Sequence, residues 1–200
     1  MIDQVLNAII TQLNTYIGTV DPEVILGNVS FADAFQDNSS QNLSDKIIAS
    51  VVNIEQEESL RNLPFRRTVH TPGGIPQGQE RQPEIYLNIY VLFGANKNNY
   101  STALNRISQV IGFFQRKFVF TATDIPVLAT FNLDRIILDL YSTSFEELNQ
   151  LWSVMGGKYI PSVVYKMRLA VIQNAEPQGA GIITEINLGT KVLANQSPEK

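Results

Sequence analysis

His70 is the one imidazole in a chain of 200 residues that contains no cysteine. A usual zinc site draws its ligands from thiolates and several imidazoles, so this composition does not supply one, nor a cysteine nucleophile or a disulfide framework. No serine sits in a Gly-x-Ser-x-Gly turn, the sharp bend that presents a hydrolase nucleophile. Glycines cluster at Gly73-Gly74, Gly156-Gly157 and Gly179-Ala180-Gly181, without the strand-to-helix spacing that cradles a phosphate. They read as a turn, a helix stop and a hinge. Glu55, Glu57 and Glu58 read as the solvated end of a strand, and Glu146 and Glu147 stand in a helix's first turn, where the macrodipole favours negative charge. The charge cluster with most functional content is Arg61, Arg66 and Arg67. Three guanidinium groups beside a Gly/Pro-rich segment suit recognition of carboxylates on another subunit, and equally suit pairing with Glu55, Glu57 and Glu58 of the same chain. Phe113, Phe114, Trp152 and Tyr159 read as core aromatics. Catalysis, a metal and a cofactor are therefore all without support, and the expectation is a protein that is not an enzyme.

Charge and hydropathy narrow the partners. The net charge is −4 and the pI near 5.0, which lacks the basic field that a phosphate backbone requires, so nucleic acid is not an expected partner. The amino terminus opens Met1-Ile2-Asp3-Gln4-Val5, with an acid where a secretory signal places its positive charges. No stretch approaches the ~20 uninterrupted apolar residues that span a bilayer. The expectation is a chain that keeps this end, has no membrane partner and begins in the cytoplasm. With 44% hydrophobic residues, a chain of this size buries roughly 70% of its unfolded surface in one core.

Positioning elements follow from periodicity. Ile2, Val5, Leu6, Ile9, Ile10, Leu13, Tyr16 and Ile17 recur at three- and four-residue spacing, which predicts an amphipathic helix over 2–17 ended by Gly18. Residues 23–30 are a short β-prone run, 33–45 an exposed polar loop, 46–56 a β-branched strand with one solvated side, and 71–83 a long Pro/Gly-rich mobile loop. Both alternating sets within 84–95 are apolar, which predicts a central strand covered on both faces. A second helix is predicted over 100–118 with Ser101 as its cap, and a half-buried strand over 132–142. Ser144-Phe145-Glu146-Glu147 is a capping box opening a helix that Gly156-Gly157 ends. A strand over 162–173 follows, and then, beyond Pro177, a detached β-prone piece at 182–188. The order predicts an α/β (α+β) fold: one domain over 1–177 with a mixed or mainly antiparallel sheet flanked by helices, and a carboxy-terminal arm over 178–200. Within the arm Ile182, Ile183, Glu185, Ile186 and Leu188 form a segment suited to joining a sheet edge in its own domain, in a neighbouring subunit or in another protein.

Several motifs, in order over about residues 1–175, carry a family resemblance: Ser59-Leu60-Arg61-Asn62, Tyr86-Leu87-Asn88-Ile89-Tyr90-Val91-Leu92-Phe93, Val110-Ile111-Gly112-Phe113-Phe114-Gln115, Ser144-Phe145-Glu146-Glu147-Leu148-Asn149-Gln150-Leu151-Trp152 and Gly157-Lys158-Tyr159-Ile160-Pro161-Ser162-Val163-Val164-Tyr165-Lys166. The sequence resembles the tube-terminating cap proteins of extracellular contractile injection systems, the phage-tail-like particles of the antifeeding prophage and virulence cassette type. That resemblance implies a fold like a phage tail terminator, and a homohexameric ring on the last layer of the inner tube that contacts the end of the sheath. Its implied partners are the inner tube protein, the sheath protein and further copies of itself, assembled in the cytoplasm and then carried on a particle that is released. It implies no enzymatic activity and no cofactor. Arg61, Arg66, Arg67 and the arm residues are the expected interface positions. A terminator or connector of another contractile tail, phage or type VI secretion, is the nearest alternative, and a small-molecule-binding or hydrolytic α/β domain the alternative from a different class; the latter predicts a deep pocket with convergent polar groups.

Overall fold

The apolar stripe of residues 2–17 forms helix α1 (Ile2–Ile17) in the computed structural model, which describes residues 1–32, 42–57, 66–69, 77–80, 85–156, 158–171 and 178–180. Gly18 ends the helix in the left-handed region, φ 75°, and its N–H donates to the Asn14 carbonyl at 3.0 Å. Glycine meets no Cβ penalty there. Beyond it come strands β1 (Val24–Leu26) and β2 (Lys46–Gln56) with a 3-10 turn, Val29–Phe31, between them. The β-prone run at 23–30 thus yields only three strand residues, because Asn28 caps the 3-10 turn by accepting from Ser30 N. Of the predicted polar loop, residues 33–41 lie outside the described residues, while Leu43 is buried.

The chain divides into two units. The first comprises Met1–Leu63 and Glu84–Gln173. Its remaining elements are strand β5 (Ile85–Asn96), helix α2 (Tyr100–Arg116), strand β6 (Val119–Thr121), the short helix α3 (Val127–Thr130), strand β7 (Arg135–Tyr141), helix α4 (Phe145–Met155) and strand β8 (Ser162–Val171). Six strands form one sheet in the order β1-β2-β5-β8-β7-β6. Only β1 and β2 run parallel; every other pairing is antiparallel. The expected central strand, β5, has neighbours on both sides.

Alternation along the strands sorts side chains to two faces. On one face Ile47, Ala49, Ile89, Val91, Phe93, Tyr165, Met167, Leu169, Ile136 and Leu138 pack against α1, α2 and the segment around α3. Phe114 of α2 lies 5.4 Å from Phe93 and 4.5 Å from Tyr165, ring to ring. Such tilted contacts suit the ring quadrupoles. On the other face Ile48, Leu92 and Val164 pack with Val29, Leu43 and Trp152 of α4. Gly94 sits under this layer, where a Cβ would stand 2.9 Å from Ile160 Cδ1.

Several expectations change at the level of single positions. The cap of α2 is Asn99, whose Oδ1 accepts from Thr102 N at 3.1 Å, rather than Ser101. Tyr159 is 60% exposed, although its ring still meets Trp152 edge-on at 5.7 Å. The second unit, Pro64–Pro83 with Asn174–Lys200, holds a three-stranded antiparallel sheet of β3 (Arg66–Val69), β4 (Gln77–Glu80) and β9 (Gln178–Ala180) in the order β3-β4-β9. The predicted mobile loop therefore contains a strand. The predicted hinge at Gly179-Ala180 is strand as well, paired with Gln79 and Gly78. Main-chain pairing needs no side chain, so glycines that look like a joint in sequence can sit in a ladder.

Candidate functional site

Of the predicted interface residues, Arg66 and Arg67 open β3 opposite Glu80 and Gln79. Arg61, Ile182, Ile183, Glu185, Ile186 and Leu188, with His70, lie outside the described residues. Glu55 and Glu57, read from sequence as solvated strand ends, belong to a polar face of the first unit's sheet. A bulge at Val52, where Val51 pairs with Val91 and Asn53 with Tyr90, brings Asn53 and Glu55 to the side of Tyr90 and Asn88. Glu55 accepts from the Tyr90 phenol at 3.2 Å and from Asn53 Nδ2 at 2.7 Å. Glu57 accepts from Asn88 Nδ2 at 2.8 Å and stands 3.8 Å from Lys166 Nζ. On the neighbouring strands Arg168 pairs with Asp139. Burial, helped by the Glu55 hydrogen bond, raises the Tyr90 phenol above its ordinary pKa.

A second constellation is buried and was not legible as a motif. Glu23, just before β1, is 8% exposed. Asn14 of α1 holds the backbone there, accepting from Glu23 N at 3.0 Å and Val24 N at 2.8 Å and donating to Val24 O at 2.8 Å. Lys97 Nζ comes within 2.6 Å of Glu23 Oε1, and Arg106 Nε of α2 within 2.7 Å of the same oxygen. The Arg106 contact has ion-pair distance without hydrogen-bond alignment. Lys97 also donates to the Asp45 carbonyl at 2.5 Å, from a residue whose φ of 56° an aspartate tolerates. One carboxylate thus ties the start of β1, the turn after β5 and α2 together.

Near α3 a third group is half-buried. Asp124 accepts from Lys117 Nζ at 2.6 Å and from Thr121 N and Oγ1 at 3.0 Å each. The lysine, then the threonine donors, hold its carboxyl at about 2. Burial alone pushes the Tyr165 phenol up to about 12. None of these groups pairs a nucleophile with a base.

The described residues also form an open cleft of about 400 Å³, lined by Ile2, Asp3 and Leu6 of α1, Leu26 to Asn28, and Ser50 and Val51 of β2. Its polar groups are already engaged: Asp3 with the terminal ammonium at 2.8 Å, Ser50 Oγ with Val29 N at 3.4 Å. A pocket with convergent free polar groups, which the hydrolytic alternative requires, is not what this cleft offers. Among the described residues no His/Cys/Asp/Glu group has the arrangement to hold a metal ion, and no helix is long and apolar enough to cross a membrane.

The fold is similar to a sheath/tube terminator of an extracellular contractile injection system, solved in its extended state, with a TM-score of 0.55 and 16% identity over 98% of this chain and 65% of that one. It is similar also to the tube-terminating cap of the anti-feeding prophage, with a TM-score of 0.55 and 14% identity over 95% of this chain and 61% of that one. The chain thus spans less than two thirds of either structure's length. No curated protein matches its sequence. The model of the Pvc16 N-terminal domain matches residues 4–185. By that match over most of its length, and with the fold of two terminators, the chain belongs to the Pvc16 N-terminal domain family.

Proposed function

We propose that this protein is a structural cap of a contractile injection particle: a ring, six-fold like a hexameric tube layer, that sits on the last layer of the inner tube and meets the end of the sheath. The observation that carries the reading is the family match over residues 4–185, supported by the likeness in fold to two terminators. The described groups agree with it, since their charges tie elements of the fold together rather than activate a nucleophile. A ring with cyclic symmetry needs a head-to-tail interface that closes, so each copy presents two different surfaces. Its partners are then the inner tube protein, the sheath protein and copies of itself, and its work is non-enzymatic. Assembly takes place in the cytoplasm before the particle is released.

The test is deletion of this chain from a cell that builds the particle, with the particle ends imaged. Loss of a density ring at the tube end, with tubes of uncontrolled length, is expected. Intact, normally terminated ends in the deletion, or two-fold dimers as the sole assembly, would overturn the cap reading.

A further inference from the structure

β2 has eleven residues, but its outer neighbour β1 has only three. β1 covers Ile47, Ile48 and Ala49; Gly27 N then donates to the Ala49 carbonyl at 3.0 Å and the chain turns away into the 3-10 turn. Ser50 is buried, with Val29 N donating to its Oγ at 3.4 Å, so the open part of the edge runs from Val51 to Gln56; its inner side is paired with β5, except at the bulge, while among the described residues no strand lies on its outer side. Open edges are templates for another strand. This one runs beside apolar surface: Val51 is 36% and Ile54 49% exposed, and the cleft between Ile2, Leu6 and Leu26 adjoins Val51. An added strand would find main-chain partners along β2, displacing the Asn53 Oδ1 that accepts from Ile54 N at 2.9 Å, and apolar seats for alternate side chains, which is how strand addition obtains affinity and specificity.

We infer that this edge and its cleft are the seat of residues 182–188 from a second copy of the chain. The six open edge residues, 51–56, match the six arm residues 183–188. Alternation puts Ile182, Thr184, Ile186 and Leu188 on one side of the arm and Ile183, Glu185 and Asn187 on the other. The first set suits the cleft side with Ile54; the second lies along Asn53 and Glu55. Continuing the parallel direction of β1 places Ile186 beside Ile54, Asn187 beside Glu55, and Lys191 towards the acidic end of β2 at Glu55 and Glu57. The charges are complementary there. The choice of a second copy rests on the ring proposed above, in which each copy gives one surface and receives another.

In that parallel register, with 51–56 aligned on 183–188, Asn53 stands beside Glu185. The spacing of neighbouring strands, about 4.7–4.9 Å, falls within disulfide reach. The chain has no cysteine, so Asn53→Cys and Glu185→Cys introduce the only thiols. The two single variants are mixed, assembled and gently oxidised, and the products are weighed with and without reductant. The expected result is a reducible dimer containing one of each variant; the double variant should give a ladder of multimers. A disulfide closed within one chain would overturn the inference by placing the arm on its own edge. Rings that form normally with no cross-link would overturn it too while leaving the cap reading intact, as would a cross-link from Asn53→Cys to the sheath protein in whole particles. Failure of the unaltered chain to form rings, alone or on tubes, would take both readings down together. As a second arm, Ile54→Lys should weaken ring assembly about tenfold or more by placing a charge in the covered seat, with an unchanged thermal midpoint for the monomer; unchanged assembly would overturn the inference.

Discussion

Glu23 shows how much a single side chain can carry without any sequence signature. Its partners are Lys97 and Arg106, more than seventy positions away, so no local spacing announces the cluster. Lys97 is 4% and Glu23 10% exposed at the side chain, so neither charge is free to recover water once its partner is removed. Glu23→Ala should lower stability by about 3–5 kcal/mol, read as the denaturant midpoint. Glu23→Ala with Lys97→Met should recover part of that loss, because the orphaned charge goes with it. A surface value below about 1 kcal/mol for the single change would contradict the buried pair. Asp124 provides a pH signature. Its folded pKa of about 2 lies below the ordinary 3.8, so its contribution is present above pH 4 and is lost as pH falls from about 4 towards 2. The stability gap between the protein and Asp124→Asn should therefore be full at pH 6 and shrink through that window. A gap independent of pH would show that the carboxylate's charge is not what matters. Glu55 and Glu57 read from sequence as a strand's solvated end, and only the bulge at Val52 reveals that Asn53 and Glu55 share a face with Asn88 and Tyr90.

Long periodic elements were legible because burial itself imposes their period. α1 follows the predicted span, β2 runs over the predicted residues, and β5 is central because both of its alternating sets had to be covered. The capping box was legible for a different reason: both reciprocal bonds lie within four residues. Ser144 Oγ accepts from Glu147 N at 3.2 Å, and Glu147 Oε2 accepts from Ser144 N at 2.8 Å. Ser144→Ala should then cost about 1 kcal/mol, seen as faster amide exchange in the first turn of α4 rather than throughout the sheet. Uniform acceleration would mean that α4 does not open separately. β6 and α3, of three and four residues, are too short to show a period. Their positions are set by tertiary contact, with Phe120 and Leu128 wholly buried. The β3–β4–β9 sheet escaped for the opposite reason: the Gly and Gln of β4 and β9 argue against strands, and the ladder depends on backbone groups that composition does not display.

In the chain taken whole, the buried hydrophobic residues among those described run from Val5 to Leu169. The apolar layers on both faces of the six-stranded sheet are completed by α1, α2 and α4 within the first unit. Stability of that unit and assembly of the ring should therefore be separable. Ending the chain after Ala180 keeps β9 paired with β4 and removes Ile182, Ile183, Ile186 and Leu188, the apolar residues assigned to a neighbour's β2 edge. The shortened protein should keep its thermal midpoint within a few degrees and its far-ultraviolet spectrum, yet remain monomeric where the full chain forms rings. Adding a peptide of residues 181–193 should then occupy the vacant edge and inhibit ring formation by the full chain, since a strand added in trans blocks the seat without supplying the link. Two outcomes would redirect the assignment. Outright unfolding after truncation would put the arm in the chain's own core, and normal rings from the shortened chain would put the closing contacts elsewhere, with the second unit and its Arg66 and Arg67 the next surface to alter.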